Sequence, residues 1–468
     1  MKFFVCDDPH KITNHEVHSY GKWYFCFDNN VTCYEGNGFI ILYSGYGITR
    51  PLEELVNYWE EFKVANGNFF AVRMTKDSID YAIDYFNNHK LFSADKYGYE
   101  LTNHLPYMTI NEEDVIRNTL DYEPFLRREF GRNDTTTFFG HINSLLPDFD
   151  YVEDCRKAYN SKERRDPDWL VEYIHQCMTE HAQVIKDKYP NRFISLSDGM
   201  DSALQSQYFY DDPQYIYTIV PCHAGEEGHK YKREVANHYP NVKFEEWNVA
   251  DNVSHTYKYL NDSATRWATI LPTMKQVADC ATKPDIVLYG VNGDEMFFRD
   301  LIPHMQLLAL EYYDRDRNVV IDRMRKDLHN KKEQYGASYT LGNAQSFESY
   351  LNGFMDSWFN KERLYEVSES TMLKWTTPKF YTRAISQNND VLTASLYNDR
   401  RIFHEVLKAP KKFLIEQGMD SPIQRRILKE KFDYDFSTPH KDALYADYEE
   451  IFEHVFNSTV PSCMEQNV

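Results

Sequence analysis

Residues 193–204 read Phe-Ile-Ser-Leu-Ser-Asp-Gly-Met-Asp-Ser-Ala-Leu. An apolar run ends abruptly in Ser197-Asp198-Gly199-Met200-Asp201-Ser202, and a helix-like pattern follows as far as Tyr210. A turn of this kind presents backbone N–H groups and a helix N-terminus to an anion. Its two carboxylates would repel that anion unless a divalent cation lay between them. The stretch therefore raises the expectation of a strand–loop–helix unit that holds a magnesium-bound polyphosphate.

The elements downstream alternate. FISL reads as a short strand and DSALQSQYFY as a helix. YIYTIV (Tyr215 to Val220) is a second strand, HKYKREVANHY a helix ended by Pro240, and VKFEEWNV a third strand. A longer helical stretch and the helix PTMKQVADCATK precede a fourth strand, DIVLYG (Asp285 to Gly290), which runs into Gly290-Val-Asn-Gly-Asp-Glu295. Strands alternating with helices imply a parallel, doubly wound sheet. In such sheets ligands sit beyond the carboxyl ends of the strands, and both acidic, glycine-containing turns fall there. After residue 300 the pattern is mostly helical. Upstream, the chain to about Asp150 is rich in short β-like runs: KWYFCF, GFIILY, GNFFAVRM and YAIDYF. The polar run SKERRDPDW (Ser161 to Trp169) is the best linker candidate, and LVEYIHQCMTEHAQVIKDKY after it has helical spacing. Two domains are expected, residues 1–160 and 161–468.

Composition narrows the function classes. A chain of 468 residues supports two or three domains with substantial cores. The net charge of −20, from 52 basic and 72 acidic residues, disfavours nucleic acid and anionic membranes as partners. GFIILY is far too short to span a bilayer, and MKFFVCDDPH turns acidic at once, unlike a signal peptide. The eight cysteines (Cys6, Cys26, Cys33, Cys155, Cys177, Cys222, Cys280 and Cys463) form no C-x-x-C pair. That argues against a zinc ribbon or dithiol site and for reduced thiols in a cytoplasmic protein.

The two turns carry the chemistry. In the first, Ser197 and Ser202 can donate hydroxyls to phosphate oxygens. Gly199 permits close backbone approach, and Asp201 is placed to hold Mg²⁺. The bland reading is an N-cap, common before helices without any ligand. In the second, Asp294 lies 93 residues beyond Asp201, yet both fall at strand ends of one expected sheet, where they can share a magnesium bridging a triphosphate. Taken alone, Asp294 and Glu295 read as residues that favour a helix dipole. His223 and His229, in PCHAGEEGH, read better as a polar surface loop than as metal ligands.

Together the turns resemble the asparagine synthetase family. Its pyrophosphate loop is S-G-G-x-D-S, here Ser197-Asp-Gly-Met-Asp-Ser202, and its later motif is G-E-G-x-D-E-x-F, here Gly290-Val-Asn-Gly-Asp-Glu-Met-Phe297. REVANHYPNVKFEEWNV between them fits as well. SLYNDRRIFHEVLKAPKKF (Ser395 to Phe413) looks like the family's D-x-x-[LI] helix with its following proline. QRRILKEKF and PHKDAL look like its K-x-x-L-R helix and R-x-K turn. The resemblance puts Lys441 at the family's catalytic lysine and Lys429 at the helix arginine. GNFFAVRMTKDSIDYAIDYFNNHKLFSADKYGYELTNHL looks like the two-sheet core of its glutaminase domain. The resemblance implies a mixed α/β and α+β fold: an N-terminal Ntn-hydrolase-like αββα sandwich, then a doubly wound PP-loop domain of the adenine nucleotide α-hydrolase type with a helical C-terminal part.

The chain departs from the family in three places. The glutaminase nucleophile is a cysteine exposed by removal of Met1, whereas residue 2 here is Lys. Cys6 reads as a plain strand residue and the N-terminal domain as a retired amidotransferase, as in the related β-lactam synthetases and lasso-peptide cyclases. Asp198 replaces a glycine of the pyrophosphate loop, and Val291 stands where asparagine synthetases have Glu and β-lactam synthetases Tyr. The implied reaction is ATP-dependent amide formation without glutamine. ATP lies beside Leu196, Val220, Tyr289 and Gly290 and along Ser197, Asp198, Gly199 and Ser202. Asp201 and Asp294 hold Mg²⁺, and Lys441 steadies charge on the α-phosphate and in the later tetrahedral intermediate. The substrates are a small-molecule carboxylate and an amine or ammonia; a homodimer stays open. Two other readings stay open too: another PP-loop ATP pyrophosphatase acting on a nucleobase or tRNA, and a non-catalytic nucleotide-binding homologue.

Overall fold

The computed structural model describes residues 1–89, 91–104, 107–111, 141–196, 199–210, 215–220, 237–239, 246–248, 282–290, 292–297, 391–410, 413 and 422–435. The N-terminal part holds ten strands: β1 (Phe3–Cys6), β2 (His18–Tyr20), β3 (Trp23–Phe27), β4 (Thr32–Gly36), β5 (Phe39–Gly47), β6 (Gly67–Met74), β7 (Ile79–Ile83), β8 (Phe92–Ala94), β9 (Glu100–Thr102) and β10 (Asn143–Ser144). They form two antiparallel sheets, β10-β8-β9-β1-β3-β2 and β4-β5-β6-β7. All four β-like runs of the sequence contribute strands, although YAIDYF leaves its strand at Ile83 and turns through Asp84.

Two-residue periodicity sets the layers. Ile40 and Leu42 of β5, Phe70, Val72 and Met74 of β6, and Ile83 of β7 face Phe3 and Val5 of β1 and Phe25 of β3 in one buried core between the sheets. The alternate residues Ile41, Tyr43, Phe69, Ala71 and Ala82 face outward. They are covered by Leu52, Leu55 and the short helix α1 (Trp59–Lys63) through Trp59 and Phe62. A strand apolar on both faces needs a cover on both, and each fully buried side chain of this size stabilises the fold by about 1.5–3 kcal/mol.

After α2 (Tyr151–Tyr159) comes α3 (Pro167–Lys188). Asp166 caps α3 by accepting from the amides of Asp168 and Trp169, with Pro167 at its first position. Leu170, Ile174, Cys177, Met178, His181, Ala182 and Ile185 bury one stripe of it at helical spacing. Within the linker candidate, Arg165 pairs with Glu405.

The third sheet is parallel. Its strands are β11 (Arg192–Ser195), β12 (Tyr215–Val220), β13 (Glu246–Asn248), β14 (Ile286–Leu288) and β15 (Leu392–Ala394), in spatial order β13-β12-β11-β14-β15. Helices α4 (Met200–Gln207), α5 (Gly293–Met296), α6 (Arg400–Val406) and α7 (Pro422–Phe432) accompany it. The strand order runs outward in one direction from β11 to β13, then restarts on the other side at β14. The place where such an order reverses is where neighbouring loops part and a crevice opens. The fold is thus mixed α/β, two antiparallel sheets and one parallel sheet. Among the described residues no helix is long and apolar enough to cross a membrane.

Candidate functional site

The two turns singled out in the sequence leave the carboxyl ends of adjacent strands. β11 and β14 pair directly, Phe193 with Val287 and Ile194 with Leu288. Leu196, at the end of β11, is buried. Gly199 has an extended backbone (φ −79°, ψ 146°) and caps α4, which puts Asp201 in the first helical turn. The Ser202 hydroxyl donates to the Gly199 carbonyl at 3.0 Å, which tightens the same turn.

The two turns touch. At Gly290 an added Cβ would lie 2.5 Å from the Ser202 amide nitrogen, and at Gly293 it would lie 2.4 Å from Asp201 Oδ1. Only hydrogen fits at either place, so these glycines let the second turn close against the first. Asn292 between them is buried and left-handed, with φ 72°, a conformation Asn tolerates better than most residues. The amide of Tyr289 donates to Ala394 at 2.9 Å, tying the same segment to β15.

Asp201 is gripped from two further elements. Gln424 of α7 donates through Nε2 to Asp201 Oδ1 at 2.5 Å. Tyr397, just after β15, donates its hydroxyl to the Asp201 carbonyl at 2.8 Å and accepts from Gln424 Nε2 at 3.2 Å. The Leu396 amide donates to Gln205 Oε1 at 3.0 Å, so the segment carrying Tyr397 is fixed to α4.

Asn292 is supported from the N-terminal sheets. Its Nδ2 donates to Asn398 Oδ1, Asn398 Nδ2 donates to Asn88 Oδ1 at 2.6 Å, and Asn88 Nδ2 donates to Asp84 Oδ1 at 2.7 Å. All four residues are buried. Burial pushes the Asp84 carboxyl up to about 8, against the opposing pull of amide donors from Phe86 and Asn88. Alongside, Asn68 donates to Thr393 at 2.7 Å and accepts from His89, and His181 lies between Tyr46 and the Leu396 carbonyl. Burial drives both histidines down, His89 to about 3 and His181 to about 4. A carbonyl can only accept, so the His181 Nδ1 carries the proton and Nε2 accepts from Tyr46.

Ser197, Asp198, Val291, Lys441, His223 and His229 lie outside the described residues, as do the side chains of Val220, Asp294 and Glu295. The backbone of Asp294 sits in the first turn of α5, beside Gly293. Val220 ends β12, the neighbour of β11, and Tyr289 and Gly290 follow β14. Lys429 is exposed on α7 and pairs with Asp433 at 3.3 Å. Cys6 is fully buried at the end of β1, and its thiol donates to the Asp8 carbonyl at 3.1 Å. Burial pushes that thiol up to about 12, the opposite of what a nucleophile needs.

A cavity of about 570 Å³ is lined by Arg50, Glu61, Asn66, Arg400, Arg401 and His404, none of them from either turn. Its guanidinium groups are already paired, Arg50 with Glu54 and Glu61, Arg400 with Asp154, and Arg401 with Asp399 and Glu180. Charge and position therefore both favour the meeting point of the two turns, at the carboxyl ends of β11 and β14, over this cavity. Among the described residues no group of three or more His, Cys, Asp or Glu converges. The ligand described there, the Asp201 carboxylate, is a hard oxygen donor and suits an oxygen-seeking cation such as Mg²⁺. Gln424 and Tyr397 are residues that sequence reasoning missed. Gln424 gave a signal, because it is a polar residue at a core position of a helix otherwise apolar at Ile423, Ile427 and Leu428. The chain matches no protein-family model, and no curated protein matches it.

Proposed function

We propose that the crevice between β11 and β14 binds Mg²⁺-ATP and that the chain is an AMP-forming, amide-bond-forming ligase of the asparagine synthetase kind. On this reading the parallel sheet is a PP-loop domain and the antiparallel pair an Ntn-hydrolase-like sandwich without its nucleophile. The carrying observation is the meeting of the two acidic turns at the strand-order reversal, with the Asp201 carboxylate packed on Gly293. The motif resemblance agrees with it and supplies the reaction type.

In the proposed reaction a substrate carboxylate oxygen attacks the α-phosphorus of ATP. The bond to the β,γ-pyrophosphate breaks, giving an acyl-adenylate and pyrophosphate. An amine or ammonia then attacks the acyl carbon, loses a proton and expels AMP, leaving an amide. Magnesium would neutralise the leaving pyrophosphate, with Asp201 and Asp294 as its protein ligands. Gly199 and the amides opening α4 would face phosphate oxygens. Lys441 would stabilise charge on the α-phosphate. The buried Leu196 and Tyr289 help keep water from the activated ester. Glutamine is not the nitrogen donor on this reading, because Cys6 is sealed in a sheet.

Asp201→Asn tests the proposal. Pyrophosphate release from Mg²⁺-ATP in the presence of substrate carboxylates should fall at least 100-fold, because a charged metal ligand is lost while the side-chain shape is kept. Release unchanged in Asp201→Asn would overturn the assignment. A wild-type chain that binds ATP but never cleaves it would favour the non-catalytic reading, which Asp198 and Val291 motivate.

A further inference from the structure

We propose that Gln424 and Tyr397 are positioning residues that clamp Asp201 for metal binding, Gln424 through its side chain and Tyr397 through its main chain. The inference rests on the reading of the crevice as a magnesium–nucleotide site, and it assigns a role to two residues that no motif marks.

Gln424 is fully buried on the face of α7 that also buries Ile423, Ile427 and Leu428. An amide at such a position costs free energy unless its hydrogen bonds are made. Its Nε2 makes two, to Asp201 Oδ1 at 2.5 Å and to Tyr397 Oη at 3.2 Å. A carboxylate can only accept, so the amide nitrogen must be the atom that faces Asp201. Tyr397 is fully buried as well, and its hydroxyl proton is committed to the Asp201 carbonyl at 2.8 Å. That leaves its lone pairs to receive Gln424.

The three groups close a small ring around one residue. Gln424 fixes an oxygen of the carboxylate, Tyr397 fixes the peptide that carries it, and Gly293 walls the same oxygen from the second turn. Each contact comes from a different segment: α7, the stretch after β15, and the turn after β14. An aspartate in a first helical turn ordinarily has several rotamers. Here one arrangement is selected before any ligand arrives. Partners that orient a metal ligand in this way commonly contribute 10–100-fold to metal affinity.

The test uses the full chain with Mn²⁺ and an α,β-methylene analogue of ATP, followed by electron paramagnetic resonance. Binding of the analogue alone in EDTA is measured in parallel by calorimetry. Gln424→Met keeps the volume and deletes the donor. The expected result is Mn²⁺ affinity about 10–100-fold weaker with analogue affinity in EDTA unchanged. Tyr397→Phe should show the same split with a smaller loss, and it serves if Gln424→Met does not fold. Equal affinities in wild type and both variants would overturn the clamp alone. Loss of metal and analogue binding together would overturn it too, as a general packing role. A wild-type chain that takes up no Mn²⁺ with the analogue would overturn the site reading, and the clamp with it.

Discussion

The contact between the two turns predicts a definite outcome for Gly293→Ala. The added Cβ would lie 2.4 Å from Asp201 Oδ1, 2.5 Å from its Cγ and 2.9 Å from its Cβ. Ordinary carbon contacts need about 3.5–4.0 Å, so the carboxylate must retreat by about 1 Å. Metal–ligand distances tolerate about 0.2 Å, so the retreat removes Asp201 from any cation shared with the second turn. Stability should fall as well, because the retreat draws Asp201 Oδ1 away from Gln424 Nε2 and leaves a buried amide unsatisfied, at about 1–3 kcal/mol. The variant should therefore melt somewhat below wild type and bind Mn²⁺ with the ATP analogue about 10–100-fold more weakly. Gly290→Ala differs in its obstacle. That obstacle is the backbone of Ser202 at 2.5 Å, which cannot swing aside, so about 1–3 kcal/mol of stability is lost there too. Thermal unfolding and metal titration on the same samples read stability and metal binding separately. Full-strength metal binding by a folded Gly293→Ala would refute the shared site.

Other consequences are testable in the same way. Asn398→Ala strands Asn292 Nδ2 and Asn88 Oδ1 in a buried seam, which should cost about 1–3 kcal/mol for each stranded group in a urea titration and weaken nucleotide binding through the Asn292 turn. The seam also dictates a pH profile. His89 and His181 are held neutral, at about 3 and about 4, so the unfolded chain binds their protons first, and stability falls as pH drops below about 6.5. Asp84, raised to about 8, acts in the opposite sense: the folded state keeps a proton the unfolded chain has lost, and its contribution falls as pH rises from about 4 to about 8. Two histidines outweigh one carboxyl below pH about 6.5, so the urea midpoint should peak near there, and Asp84→Asn should flatten the decline above it.

The strands were legible because their spacing is simple. GNFFAVRM and GFIILY alternate between two apolar faces, and each became a strand buried on both. The FISL and DIVLYG runs became neighbours, and the turns after them met. What sequence could not give was the lateral order of the parallel strands, which depends on crossovers, not on local pattern. Nor did it reveal the amide seam from Asp84 to Asn292. Its residues are far apart in the chain and each reads alone as a turn former. The clamp on Asp201 was hidden for the same reason, since Gln424 lies 223 residues away and only its polar character in an apolar stripe hinted at it. The expectation for Lys441 falls outside the described residues and rests on the motif alone.

The most direct measurement is the fate of ATP. The chain is incubated with Mg²⁺-ATP, amines or ammonia, and a panel of ¹⁸O-labelled carboxylates, and the nucleotide and acyl products are read by mass spectrometry. The account predicts AMP and pyrophosphate in equal amounts, one ¹⁸O carried from the carboxylate into AMP, and a new amide. ADP with inorganic phosphate, or AMP that never carries the label, would contradict it.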